Sequence, residues 1–483
     1  MEDQPSAAPY PNWNERITAE CYEPNARAQL LAEDGSVRAV MNNYQHISSD
    51  WGPTLLAWLE ANHRGTYESI IQADRESLRD HSGHGSTLAH TYNHTILPLS
   101  NRRDKRTQVL WGIADFEHRF GRSPEGMWLP ETAVDLETLE TLSEAGISFT
   151  VLAPTQASSV LGDDGWLDVS GGRIDTRVPY TAQLFGGKEI GLFFYNGPLS
   201  QEIAFNGLLE DGSLLAARLM EGFGEETGHA VLAHVATDGE TYGHHHRHGE
   251  MALARAIEIL EADPDVTLTN YAKFLADHPP SQVARIVEDS SWSCAHGVER
   301  WRSDCGCATG QHPDWNQAWR SPLRQALDYL RDASIESFEG IGATLLDDPW
   351  EARDRYVDVI LGGDADSFLT EHGRHLGTPK RRHLALDMLE IQHQAMLMYT
   401  SCGWFFDDIS GLESVLVLRH AGRVMDLTRQ GLDADLEPGF LDILGNARSN
   451  VAGRSGVDVY REQVLPFLTA GRAVTTGRTP ASH

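Results

Sequence analysis

The sequence predicts an α/β protein, a barrel of parallel strands and helices, followed by a mostly α-helical domain. Three observations lead there. Over roughly the first 280 residues, short apolar runs alternate with helical patterns, the arrangement of parallel strands with helices packed outside them. Two acids, Glu131 and Asp238, each fall just after such a run, where barrel strands carry function at their C-terminal ends. From ADHPPSQ (276–282) onward, long amphipathic segments replace the alternation.

The bulk properties set the frame. At 483 residues the chain is too long for one ordinary core. The expected division is a barrel domain over 1–280, a Cys- and Trp-containing loop over 281–314, and a helical domain over 315–483. A composition of 41% hydrophobic and 23% charged residues is that of a soluble globular protein. The formal net charge of −31 would repel nucleic acid and anionic membrane, so neither is expected as a partner. No apolar run approaches the ~18 residues of a membrane span. The acidic, Pro-rich start MEDQPSAAPYPNWNER has no apolar core of a secretory signal, so the expected location is the cytoplasm. Five sparse cysteines argue against a disulfide framework.

Along the chain, GMWLP (126–130) reads as a strand end. The following VDLETLETLSEAG reads as a helix, with Leu136, Leu139 and Leu142 at helical spacing and a stop at Gly146. ISFTVLAP (147–154), GLFFYNGP (191–198) and AVLAHVAT (230–237) read as buried strands, and helices are expected at 200–222 and 249–262. Further on, QAWRSPLRQALDYLRDAS and RRHLALDMLEIQHQAMLMYTS carry Leu and Met at i, i+3, i+4 spacing. Methionines on such helices are core filler.

Two carboxyl groups are what glycosidic bond cleavage needs: one at the anomeric carbon, one to protonate the leaving oxygen. Glu131, in GRSPEGMWLPETAVD, and Asp238, in ATDGETYGHH, form such a pair at strand ends beside aromatics. Each has a plainer explanation. A Glu after a strand commonly starts a helix, and Asp-Gly is commonly a turn.

WLPE followed by DGETYGHH resembles glycoside hydrolase family 57, whose members act on α-glucans with retention. The resemblance extends to NYQHISSDWGPTLLAWLE (43–60), TYNHTILPL (91–99) and SSWSCAHGVERWRSDCGC (290–307), and is closest to the long subgroup with a C-terminal domain of unknown function. It implies an incomplete (β/α)7-type barrel followed by a helical domain, with an α-glucan polysaccharide or oligosaccharide as substrate. It implies Glu131 as nucleophile and Asp238 as general acid/base, with His94 and Trp128 in the substrate cleft. Family chains open with a strand bearing an HxH motif, and the present sequence starts at PYPNWNERI, just downstream of it. The expectation is therefore a barrel lacking its first strand, with 39–47 either an exposed edge or covered by the N-terminal loop.

Two clusters remain. His244, His245, His246 and His248 could ligate zinc, but adjacent histidines point in different directions. The adopted reading makes His244 and His245 part of a polar sugar-binding rim. Cys294, His296, Cys305 and Cys307 could supply four ligands, although C-x-C is less typical of structural zinc than C-x-x-C. The favoured reading is a loop with packed thiols whose Trp292 and Trp301 face the sugar, with no metal and no cofactor. Two other functions stay open: a carbohydrate-binding or regulatory protein on the same fold, and a metal-dependent hydrolase built on the His cluster.

Overall fold

Parallel strands run in chain order through the first part of the molecule. In the computed structural model, which describes residues 4–225 and 228–468, the segment around Asp50 bridges Leu88 in parallel. Strand β3 (Ala89–His90) then pairs in parallel with β4 (Met127–Trp128), in the register His90 opposite Trp128. Gly126 bridges Phe149 of β5 (Phe149–Leu152), and β5 pairs in parallel with β9 (Glu189–Phe194). The expected strands at 126–130, 147–154 and 191–198 are therefore present. Their all-buried interiors (Phe149, Val151 and Leu152; Leu192, Phe193 and Phe194) explain why they read as unbroken apolar runs.

The segment 230–237 departs from the expectation. It lies beside the end of β9, where Asn196 N donates to His234 O (3.0 Å), but it forms no ladder. Its other backbone groups are satisfied elsewhere: Leu232 N donates to Arg177 O (2.8 Å) and Ala236 N to the Ser200 hydroxyl (3.1 Å). A side chain and a loop thus take the places that a strand partner would fill.

Antiparallel elements decorate this array. Strand β1 (Ala28–Leu31) pairs with β2 (Val37–Met41), β8 (Tyr180–Gln183) pairs with β9, and β6 (Ala157–Gly162) lies between β7 (Gly165–Asp168) and β10 (Ala284–Ile286). The region 39–47 is split between two environments. Residues 39–41 are the exposed end of the β1–β2 ribbon, with Val40 61% accessible, whereas Asn43 and Tyr44 are buried in a 3-10 turn.

The helix after Glu131 spans Leu136–Glu144, capped by Asp135, whose carboxylate accepts from Thr138 N at 2.7 Å. The helix expected at 200–222 is two helices, Gly197–Phe205 and Gly212–Glu221. They are parted at Gly207, whose φ of 75° belongs to the left-handed region that glycine enters freely. Both pack on Gly249–Ala262 through Ile203, Leu215, Ala216, Ala252 and Ala256.

The chain divides into two compact units: Met1–Thr91 with Phe116–Glu288, and Tyr92–Asp115 with Asp289–His483. The second unit's long helices are Arg320–Gly340, Pro379–Leu397 and Leu412–Leu432. They bury Leu327 and Leu330, Met388 and Met396, and Val424 and Met425 respectively, so these methionines are core residues. Residues 92–115 fall in this unit rather than with the barrel sequence around them. Buried Arg353 explains why: it donates to Asp104 (2.7 Å) and Thr107 (2.8 Å), while Trp111 Nε1 donates to the Arg353 carbonyl (3.1 Å). Nothing in the hydrophobic pattern marks that exchange. Among the described residues, no helix is long and apolar enough to cross a membrane.

Candidate active site

The strand ends of the first unit collect the functional groups. His90 ends β3 and Trp128 ends β4 beside it; Glu131 follows β4 by three residues, Tyr195 follows β9, and Asp238 ends the 230–237 segment. Asp50, on the segment bridged to Leu88, lies with its Oδ2 3.8 Å from His90 Nε2.

Glu131 sits at φ 56°, ψ 22°, and Thr132 at φ 50°, a left-handed pair that non-glycine residues rarely adopt. The turn is fixed from the neighbouring strand. Buried Gln156, just past β5, donates its amide to Thr132 O (2.8 Å) and accepts from Ala153 N (2.9 Å). Strained backbone held by its surroundings is how a side chain is aimed at a site.

Asp238 is exposed to solvent, yet enough protein surrounds its carboxyl to desolvate it in part. Desolvation, then the charges of Glu240, Glu131 and Asp50, push its carboxyl up to about 7. Glu240, Glu131 and Asp50 are therefore all close enough to act on Asp238. Burial and the charge of Asp238 raise the Tyr195 phenol, which stays protonated. Burial lowers His90 to about 4 and outweighs its contact with Thr91 O (2.5 Å), so its imidazole is neutral at pH 7.

Residues 20–25 lie along the loop that carries Asp238. The Cys21 thiol donates to Gly239 O (3.3 Å), Tyr22 OH donates to Glu240, and Asn25 Nδ2 donates to Tyr242 O (2.7 Å). The Tyr22 segment, Thr18–Tyr22, is a π-helical turn, a rare form that recurs at functional sites.

The histidines scatter. His244 Nδ1 is 2.5 Å from Glu20, His246 Nε2 is 2.7 Å from Ala204 O, His248 has φ 66°, and His245 is exposed. His244 is thus held by Glu20 rather than turned to Asp238. Among the described residues these imidazoles do not converge on a common point, and the set that does is Cys294, His296, Cys305 and Cys307. Among the described residues the His cluster by itself offers no set of converging ligands for a metal-dependent hydrolase.

The remaining expected site residues belong to the second unit. His94, at φ 52°, places Nδ1 2.6 Å from Ser401 Oγ, and its carbonyl accepts from Ser401 N. Trp292 is half-buried. Trp301 is a correction: its ring is wholly buried, so it is a core residue with no face for a sugar. The charged run VERWRSD concealed that, because the 3-10 turn Glu299–Trp301 buries Arg300 together with Trp301, so flanking charge did not mark exposure.

Residues 13–287 match the family model described as Glycosyl hydrolase family 57. The chain belongs to glycosyl hydrolase family 57. Residues 315–477 of this family 57 chain match a domain of unknown function, DUF3536. A stretch of 107 residues is 32% identical to alpha-amylase 1 of Dictyoglomus thermophilum, covering 22% of this chain and only 15% of that protein. In structure, the chain resembles an exo-type maltose-forming amylase from Pyrococcus sp. ST04 (TM-score 0.69, 16% identity, 96% of this chain and 86% of that one). It also resembles a family 57 branching enzyme from Thermococcus kodakaraensis (TM-score 0.51, 16% identity, 95% of this chain and 92% of that one). At these identities the likeness is one of fold, the (β/α)7 barrel fold of the family's enzymes.

Sequence reasoning passed over Asp50, Tyr22, Gln156 and Glu240 as site residues. Asp50 stood in the quoted 43–60 motif, and Glu240 in the quoted ATDGETYGHH. Their role comes from proximity across the fold, which no local pattern carries.

Proposed function

We propose that the protein cleaves α-glucosidic bonds with retention, as a glycosidase or glucanotransferase, through a glycosyl ester on Glu131. Asp238 gives its proton to the leaving oxygen and then takes one from the incoming water or sugar hydroxyl. The observation that carries this reading is the Asp238 carboxyl held at about 7 among three other carboxyls. A carboxylic acid that keeps its proton near neutral pH beside a second carboxylate is the asymmetry that retaining chemistry uses. Glu131, on its fixed left-handed turn, supplies the attacking oxygen. The α-glucan substrate comes from the family and from the names of its structural relatives, an amylase and a branching enzyme. Hydrolysis and transfer share the first half-reaction and differ only in whether water or a sugar hydroxyl attacks the ester in the second, so one site accommodates either outcome.

A trapping experiment tests it. A maltosyl fluoride needs no protonation to leave, so with Asp238→Ala it should load the enzyme and then stall. Mass spectrometry of the peptic digest should find one maltosyl adduct, on the peptide containing Glu131. An adduct on another acid overturns the assignment. No adduct together with no turnover of any α-glucan by the unmutated protein, but with retained binding, supports a carbohydrate-binding protein instead.

A further inference from the structure

We propose that Cys294, His296, Cys305 and Cys307 form a structural zinc site that fastens the long loop ahead of the second unit's first long helix. The donor atoms of these four residues all lie within 4.8 Å of one another. Cys294 Sγ is 3.9 Å from Cys305 Sγ and 3.8 Å from Cys307 Sγ, and Cys307 Sγ is 3.6 Å from His296 Nδ1. Tetrahedral zinc with Zn–S of about 2.3 Å and Zn–N of about 2.0–2.1 Å has S···S edges of ~3.8 Å and S···N edges of ~3.5 Å. These three separations fall within a tenth of an ångström or so of those edges, and the other three stay within 4.8 Å. They are far longer than a disulfide bond of about 2.05 Å, and three thiols could not all be paired that way.

Charge provides an independent argument. Arg300 and Arg320 are buried beside the cluster. Arg320 Nη1 donates to Cys307 O (2.9 Å) and Arg300 Nη2 to Ala308 O (3.2 Å), yet the Nε of each is buried without a partner. Among the described residues neither guanidinium has a carboxylate within ion-pair distance. Two buried cations need compensating negative charge. Zinc bound by three thiolates and a neutral imidazole carries a net single negative charge, and the protons of the three thiols leave as the metal enters.

The third argument is the length of unsupported chain. Between β10 and Arg320–Gly340, residues 287–319 contain no regular structure apart from the 3-10 turn Glu299–Trp301. Loops beyond about 12–15 residues are uncommon in compact domains unless something fastens them. The cluster joins the two arms of this loop on either side of that turn, and so holds buried Trp301, whose carbonyl accepts from Arg324 (2.7 Å). The sequence favoured packed thiols without metal because C-x-C is less typical of structural zinc than C-x-x-C. The distances reverse that preference.

The site is independent of the glycosidase reading, since its test reads metal rather than turnover. The purified full-length protein, dialysed against metal-free buffer, should retain one zinc per chain by elemental analysis, and its three clustered thiols should resist a thiol reagent until zinc is stripped. Cobalt substituted for zinc should give the intense visible bands of tetrahedral thiolate coordination with ultraviolet sulfur-to-metal charge transfer. His296→Ala, at an exposed position, should fold and lose zinc at least ten-fold faster to a chelator. Zinc well below one per chain, freely reactive thiols in the folded protein as purified, or an octahedral cobalt spectrum would each overturn the proposal.

Discussion

The Tyr22 phenol donates its hydrogen bond to Oε1 of Glu240, so a π-helical turn near the start of the chain orients an acid two residues from Asp238. Glu240 is the nearby charge that does most, after desolvation, to keep Asp238 protonated. Glu240→Gln removes that charge while leaving an oxygen for Tyr22. The Asp238 carboxyl should then ionise at lower pH. On the proposed roles, activity requires Asp238 protonated, so the alkaline limb of the kcat/KM profile should move to lower pH. The profile measured on a maltooligosaccharide decides it, and an unmoved or raised limb would show that Glu240 does not tune the acid.

The same carboxyl should weaken the fold as pH rises. Its pKa is raised from the usual carboxylate range near 4 in the unfolded chain to about 7 in the folded protein. Below the unfolded value both states are protonated and no difference arises. Between the two values the unfolded chain ionises while the folded protein does not, so stability falls with increasing pH until about 7. Asp238→Asn removes this penalty. It should raise the melting temperature relative to the unmutated protein at pH 8 and make little difference at pH 4. Calorimetry at both values checks it; an equal gain at both would assign the effect to packing.

Gly243 tests whether the clamp between residues 20–25 and the Asp238 loop matters. Its φ is 141°, and a Cβ there would overlap the carbonyl oxygen of Glu20. Gly243→Ala must push the two segments apart or strain the loop, at a cost of about 1–3 kcal/mol. The expected result is a lower melting temperature with a larger proportional loss of kcat than of substrate affinity, because Tyr22, Cys21 and Asn25 lose their places together. A variant with unchanged kcat would show that the contact serves stability alone.

What the sequence revealed was whatever local order dictates. The helix Leu136–Glu144 carried its cap, its leucine spacing and its glycine stop, and β5 and β9 carried unbroken apolar runs, so all three were legible. Glu131 was legible as an acid just past a strand, whereas Asp238, expected at another strand's end, follows a segment that forms no ladder; the chemical roles of both remain the proposal above. Gly207 was visible as a glycine, but nothing nearby said that the chain would turn there rather than continue a helix. The 230–237 run had a strand's composition and lost its ladder to a loop carbonyl and the Ser200 hydroxyl. Membership of 92–115 in the second unit depends on Arg353, some 240 residues away. Long-range polar contacts of this kind leave no period in the sequence.

The two acids should respond differently to an external nucleophile. Glu131→Ala should abolish ordinary turnover, a loss of about 10⁴-fold or more, with folding intact. Asp238→Ala should cost about 10²–10⁴-fold on substrates whose leaving group needs a proton. On an aryl α-glycoside with an activated leaving group, Asp238→Ala should still form the glycosyl ester and then hydrolyse it slowly, since nothing deprotonates the water. Azide needs no deprotonation. It should attack that ester from the face opposite Glu131, restore turnover and give the α-azide, with net retention. In Glu131→Ala the cavity left by the carboxylate admits azide directly to the anomeric carbon, and a single displacement gives the β-azide. Anomers assigned by NMR distinguish the two outcomes. A β-azide from Asp238→Ala and an α-azide from Glu131→Ala would exchange the two roles, and inverted products from the unmutated enzyme would remove the ester intermediate altogether.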